Sequence, residues 1–187
     1  DGRRASGVEY QIGRKARSVA AAREVIVCSG AINAPTLLML SGIGDAKHLR
    51  ANSIETVHHL PGVGQNLQDH LELYIQYRCR QPVSLYSAMH PLAKLGIGIG
   101  WLLTKRGLGA TNHFESGGFI RSRAGVRYPD IQYHFLPLAV AYDGSALIDG
   151  HGFQAHVGPM RSKSRGRVSL RGPDPHQAPS VLFNYMS

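Results

Sequence analysis

The stretch VIVCSGAINAPTLLMLSGIG, residues 25–44, decides how this chain is read. The apolar run Val25-Ile26-Val27-Cys28 stops at Ser29-Gly30-Ala31, and a leucine-rich segment then runs to Ser41-Gly42-Ile43-Gly44. This order predicts a buried strand over residues 24–28, a small-residue turn and a helix. Pro35 suits the first helical position, where its missing N–H needs no partner; that makes Ala34 the N-cap, and Gly42 and Gly44 end the helix. A strand, turn and helix start of this kind can present backbone N–H groups to a phosphate or cofactor. Ser29, Gly30 and Ala31 are therefore the candidate cofactor-binding residues, glycine allowing close backbone approach. On pattern alone an ordinary tight turn is the simpler explanation.

The chain has 187 residues, 43% of them hydrophobic and 18% charged, which fits one domain or pieces of two and excludes wholesale disorder. The longest apolar region, residues 92–103, is interrupted by Lys94 and glycines and falls short of the ~20 residues of a membrane span. The chain opens Asp1-Gly2-Arg3-Arg4 without Met or a visible signal peptide, and is read as part of a longer protein. Cys28 and Cys79 lie in apolar runs and read as reduced core thiols. The net charge of +9 raises a polyanion partner, but the basic residues are dispersed and no nucleic-acid motif accompanies them. No nucleic-acid partner is expected; a non-catalytic basic module that binds polyanions is the alternative from another functional class. The histidines show no metal-ligand spacing and no serine sits in a G-x-S-x-G elbow, so neither a metal site nor a serine hydrolase is expected.

Strands are predicted at residues 8–12 and 54–58, and Asp45 caps a short helix over 46–51. Pro61-Gly62-Val63-Gly64-Gln65-Asn66 is a tight loop without the ending of a P-loop. The pattern changes after Asp69-His70. Leu71, Leu73, Ile75, Tyr77 and Cys79 alternate with Glu72, Tyr74, Gln76 and Arg78, as on a two-faced strand. A helix over 92–103 and strands at 118–120, 131–136, 153–157, 167–170 and 181–185 complete the expectation. The fold class is mixed α+β: a partial α/β portion over 1–69, then a portion over 70–187 with an antiparallel sheet covered by helices on one side.

Gly30-Ala31-x-x-Ala34-Pro35-x-Leu37-Leu38-x-x-Ser41-Gly42-Ile43-Gly44 closely resembles the second signature of the glucose–methanol–choline (GMC) flavoprotein oxidoreductases. It departs at Ala34, where the family prefers Ser or Thr. The resemblance continues through residues 61–70 and Ser164-Arg165-Gly166-Arg167-Val168. Several stretches resemble the choline-oxidising members: Asp69-His70-Leu71-Glu72, residues 81–86, residues 112–119, Gln132-Tyr133-His134-Phe135-Leu136-Pro137 and Leu182-Phe183-Asn184-Tyr185-Met186-Ser187.

The resemblance implies FAD as cofactor and hydride transfer from an alcohol carbon to the flavin, with residues 1–69 the C-terminal part of the FAD-binding domain and its connecting loop, and 70–187 an incomplete substrate-binding domain. The substrate would be choline, giving betaine aldehyde, or another primary alcohol. It implies that the N-terminal G-x-G-x-x-G and the C-terminal catalytic His lie outside this stretch, so the segment alone should not turn over. It also implies a cytoplasmic or membrane-associated whole protein, peripheral association being the form of membrane contact expected. No motif decides the electron acceptor. Glu72 and Tyr74, two apart on a strand, are the candidate substrate-binding pair, a carboxylate and an aromatic face for a trimethylammonium group; on pattern alone that face meets solvent. Glu115, with Asn112 and His113, is a candidate for the pocket wall. His134 faces away from Tyr133 and Phe135 and is a supporting catalytic candidate, a donor to the alcohol oxygen. His70 is expected to fix the joining loop by hydrogen bonding.

Overall fold

The structure is a computed structural model that describes residues 4–141, 145 and 148–186; Asp1, Gly2, Arg3 and Ser187 of the motifs above lie outside the described residues. In chain order the elements are β1 (Gly7–Ile12), β2 (Lys15–Ala20), α1 (Gly30–Leu40), β3 (Ile43–Gly44), α2 (Ala46–Ala51), β4 (His58–His59), β5 (Gln65–Leu67), β6 (Leu73–Arg78), α3 (Pro91–Thr104), β7 (Ser116–Ile120), β8 (Ile131–Leu136), β9 (Gly152–Pro159), β10 (Gly166–Ser169) and β11 (Ser180–Leu182). Short 3-10 turns, Leu85–Met89 and Leu108–Ala110, flank α3. They form two units, one from Asp1–Asp69 with Lys163–Ser187, the other from His70–Ser162. Among the described residues no helix is long and apolar enough to cross a membrane.

The first unit is built on α1, α2 and a three-stranded sheet in the order β11-β10-β5. Met39, Leu49, Val168 and Leu170 are its buried core, with Ile32, Leu40, Ile54, Val63 and Leu67 packed around them. Asp45 caps α2 as its residue type predicts, its carboxylate accepting from His48 N at 2.9 Å. That bond holds the Asp45 carboxyl below its ordinary pKa. The tight loop after Pro61 is fixed by Gly64, which has φ +79° and accepts from Val168 N at 2.7 Å.

Three expectations fail in this unit. Residues 24–28 form no strand; they run irregularly with Ile26 73% exposed, and Cys28 is an exposed thiol rather than a core one. A strand exists only by pairing, and no described strand lies alongside this run. The partner of β1 is instead the basic segment Lys15–Ala20, joined to it through Gly13 at φ +60°. Helix α1 starts at Gly30, not at Pro35, and its N-cap is Ser29 rather than Ala34. Pro35 lies inside the helix, so the Ala31 carbonyl lacks its intrahelical N–H partner; Ala31 is exposed, and water can take that place. The expected strand over 54–58 shrinks to β4, two residues paired in parallel with β3.

The second unit is an antiparallel sheet in the order β6-β9-β8-β7. Helix α3 forms where the sequence places it, with Pro91 at its start, and packs mainly against the two 3-10 turns rather than over the sheet. Among the described residues, the 137–141 segment and Phe114 lie over the sheet. Ala139 is buried against Gly152, where any side chain on β9 would collide with it. Residues 163–187, which the sequence pattern continues into this unit, pack in the first.

The polarity of the sheet is inverted relative to ordinary amphipathic patterning. Leu73, Ile75 and Tyr77 on one side of β6 are 68%, 53% and 58% exposed, whereas Gln154 and His156 of the opposite side of β9 are 4% and 7% exposed. The covered face is the polar one.

Candidate active site: a carboxylate and two histidines on the covered sheet face

Register puts one row of residues across all four strands. Gly117 lies opposite His134, His134 opposite His156, and His156 opposite Tyr74. Antiparallel partners share a face, so the two imidazoles and the phenol ring stand side by side. Glu72 comes two residues before Tyr74 and therefore points the same way.

The resulting cluster is tightly joined. Glu72 Oε1 accepts from His156 Nδ1 and lies 3.3 Å from His134 Nε2. The His134 and His156 rings stack with centroids 5.2 Å apart, and Tyr74 stacks on the other side of His156 at 5.5 Å. Phe114 stands edge-on to both imidazoles, at 5.3 and 6.0 Å. Behind His156 comes a chain of amides: His156 Nε2 is 2.7 Å from Gln154 Nε2, and Gln154 Oε1 accepts from Gln76 Nε2 at 2.7 Å and from Val140 N at 3.0 Å. The Glu72 and His134 side chains keep 29% and 28% of their surface, against 8% for His156. The site is thus an anion with aromatic walls, open at Glu72 and His134 and closed behind them.

Such a constellation suits a cation that brings no hydrogen-bond donor, since carboxylate charge and ring faces both attract it. One ligand atom each from Glu72, His134 and His156 also lie within 4.8 Å of one another, a grouping that can hold a metal ion.

Of the residues singled out from sequence, Glu72, Tyr74 and His134 come together here. Glu115 does not; it is exposed and outside the hydrogen-bonded cluster. Ser29, Gly30 and Ala31 belong to the other unit, at the start of α1. His70 Nε2 donates to the Met160 carbonyl at 3.0 Å, and its neighbour Asp69 accepts from the Tyr185 hydroxyl. Sequence reasoning missed His156, Gln154, Gln76 and Phe114. The period-two spacing of Gln76 with Tyr74 and Glu72, and of Gln154 with His156, carried the signal; the lack of metal-ligand spacing led away from it.

The GMC oxidoreductase family model matches residues 1–72. Over its whole length the chain is 60% identical to an oxygen-dependent choline dehydrogenase of Brucella ovis, of which it covers 34%. This chain belongs to the GMC oxidoreductases. A second relative of the same description, from Ectopseudomonas mendocina, is 59% identical, and again the whole chain matches 34% of it. The chain thus spans about a third of the length of the curated relatives it matches. Two solved GMC-like structures share the mixed helix-and-sheet fold. A formate oxidase superposes with a TM-score of 0.86 at 24% identity, over 98% of this chain and 37% of its own. The pyridoxine 4-oxidase from Mesorbium loti superposes with a TM-score of 0.74 at 25% identity, over 99% of this chain and 32% of its own.

Proposed function

We propose that this GMC chain is a segment of an FAD-dependent oxidoreductase that oxidises choline to betaine aldehyde. The observation that carries this reading is the Glu72 carboxylate set among the Tyr74, Phe114, His134 and His156 rings. It is supported by the relatives described as choline dehydrogenases.

The first unit supplies part of the flavin side. At Gly30, φ is +81° and, apart from its chain neighbours and its own helix backbone, no described atom lies within 4 Å of where a side chain would begin, so a ligand can approach the backbone there. The Ser29 side chain makes no capping bond, leaving its hydroxyl available beside the N–H groups of the first turn. A donor set of this kind fits the anionic and carbonyl groups of FAD, and Ser29, Gly30 and Ala31 would hold it. Bound FAD supplies the hydride acceptor.

The second unit supplies the substrate side. Glu72 holds the trimethylammonium charge, and the aromatic walls exclude water around it. His134, partly exposed on the same row, donates to the alcohol oxygen as the adjacent C–H loses its hydride. The hydroxyl proton leaves to a general base, a role not assigned to His134. The scheme needs no metal, and no observation favours the polyanion-binding module.

The test compares choline with its neutral isostere, 3,3-dimethylbutan-1-ol, in the full-length holoenzyme. Glu72→Gln is expected to raise the choline KM by more than about tenfold, because a cation beside a partly shielded carboxylate gains more than about 1.4 kcal/mol. The KM for the neutral alcohol should stay unchanged. An unchanged choline KM removes Glu72 from the site, and equal use of both alcohols by the unmodified enzyme overturns the choline reading.

A further inference from the structure

The amide chain behind His156 fixes where that imidazole carries its proton. The Val140 backbone at the far end of the chain has no choice of role. Its carbonyl only accepts, and Gln76 Nε2 lies 3.1 Å away; its N–H only donates, and Gln154 Oε1 lies 3.0 Å away. Gln76 therefore presents its NH2 group and Gln154 its oxygen towards the 137–141 segment. The Gln76 NH2 also meets that same Gln154 oxygen at 2.7 Å, in keeping with its role as acceptor. The Gln154 NH2 is left facing His156 Nε2 at 2.7 Å. An amide NH2 donates and does not accept, so Nε2 carries no proton. The proton of the neutral ring sits on Nδ1, where it meets the Glu72 carboxylate.

We propose that Gln154, oriented by Gln76 and Val140, is a positioning residue that locks His156 as the neutral Nδ1–H tautomer and so holds Glu72 in place with its full charge towards the substrate. This rests on the reading of Glu72 as the ammonium-binding group. A second proton on Nε2 would point at the Gln154 NH2, donor against donor, in a place where His156 keeps only 8% of its side-chain surface for water. An imidazolium would also pair with Glu72 and weaken its hold on a cation. Among the described residues, the titratable groups facing His156 are Glu72, His134 and Tyr74, and none of them replaces Gln154 at Nε2. The same lock disfavours a metal ion, which would need the Nδ1 lone pair in place of the N–H.

Two variants of the full-length holoenzyme test this. Gln154→Glu puts an acceptor opposite Nε2, and Gln154→Met removes the donor. Imidazole 15N shifts, assigned by the loss of signal in His156→Asn, should show Nδ1 protonated and Nε2 bare in the unmodified protein. Gln154→Glu should protonate Nε2 and raise the choline KM about tenfold, while kcat and the KM for the neutral isostere change little. Gln154→Met should release the tautomer, giving a mixture of Nδ1–H and Nε2–H rings in the 15N spectrum together with a higher choline KM. A protonated Nε2 in the unmodified protein overturns the lock. A switched tautomer with unaltered choline KM overturns the positioning role. If Glu72→Gln leaves choline binding intact while the 15N pattern is as expected, the substrate reading fails and the lock stands. Should Gln154→Glu not fold, the unmodified spectrum and Gln154→Met decide.

Discussion

The two glycines of Pro61-Gly62-Val63-Gly64 are interchangeable on paper and should respond very differently to alanine. Gly64 has φ +79°, and a β-carbon added there would lie 2.3 Å from the Val168 carbonyl oxygen and 3.4 Å from Met39 Cε. The left-handed backbone costs a residue with a β-carbon about 1–2 kcal/mol. The overlap with Val168 adds about 1–3 kcal/mol, as overpacking does. Val168 cannot step aside cheaply: it is 2% exposed, is paired with Val181 in the sheet, and donates its own N–H to Gly64. Gly64→Ala should therefore destabilise by about 3 kcal/mol, a shift of roughly 1.5 M in the urea midpoint for a slope near 2 kcal/mol/M. Gly62 has nothing within 4 Å of its added β-carbon and no positive φ, so Gly62→Ala should change stability by less than about 0.5 kcal/mol or raise it slightly. Urea unfolding followed by far-ultraviolet circular dichroism measures both. Equal midpoints for the two variants would refute the assignment of distinct roles.

Other outcomes follow from the same structure. The Tyr185 hydroxyl donates to Asp69, which pushes its pKa up to about 12 from the usual 10. A tyrosine whose folded pKa is raised contributes stability that is whole below pH 10 and is lost as pH climbs through 12; ultraviolet titration should find that high midpoint, and Asp69→Ala should bring it back towards 10. Leu49 is 0% exposed at the centre of the first unit, so Leu49→Ala should cost about 2–5 kcal/mol by thermal or urea unfolding.

Elements with a strong period were legible in the chain: α2 behind Asp45, α3 in the apolar run 92–103, and the alternating β6, β8 and β9. The hairpin strand β2 was not, because every residue of Lys15–Ala20 is exposed and nothing selects an inner face. The run 24–28 has strand composition but no described neighbour to pair with, and composition alone does not supply hydrogen bonds. Pro35 shows a local rule overridden, with the turn at Gly30 starting the helix early. For the site, Glu72, Tyr74 and His134 can be named from residue type and resemblance, yet pattern alone gives their face to solvent. Period two says which residues share a side, not which side is covered. His156 looks like a lone histidine in the sequence because its partners, 84 residues away at Glu72 and two residues away at Gln154, meet only through sheet register.

The hydrogen bond from His156 to Glu72 sets a rule for anyone wishing to retarget this pocket. Exchanging Glu72 for an apolar residue, the obvious route to neutral alcohols, would strand an imidazole N–H that has almost no access to water, at a cost of about 1–3 kcal/mol. Specificity here is written in a pair of positions on neighbouring strands. A library that varies 72 and 156 together will find folded variants that one varying 72 alone will miss.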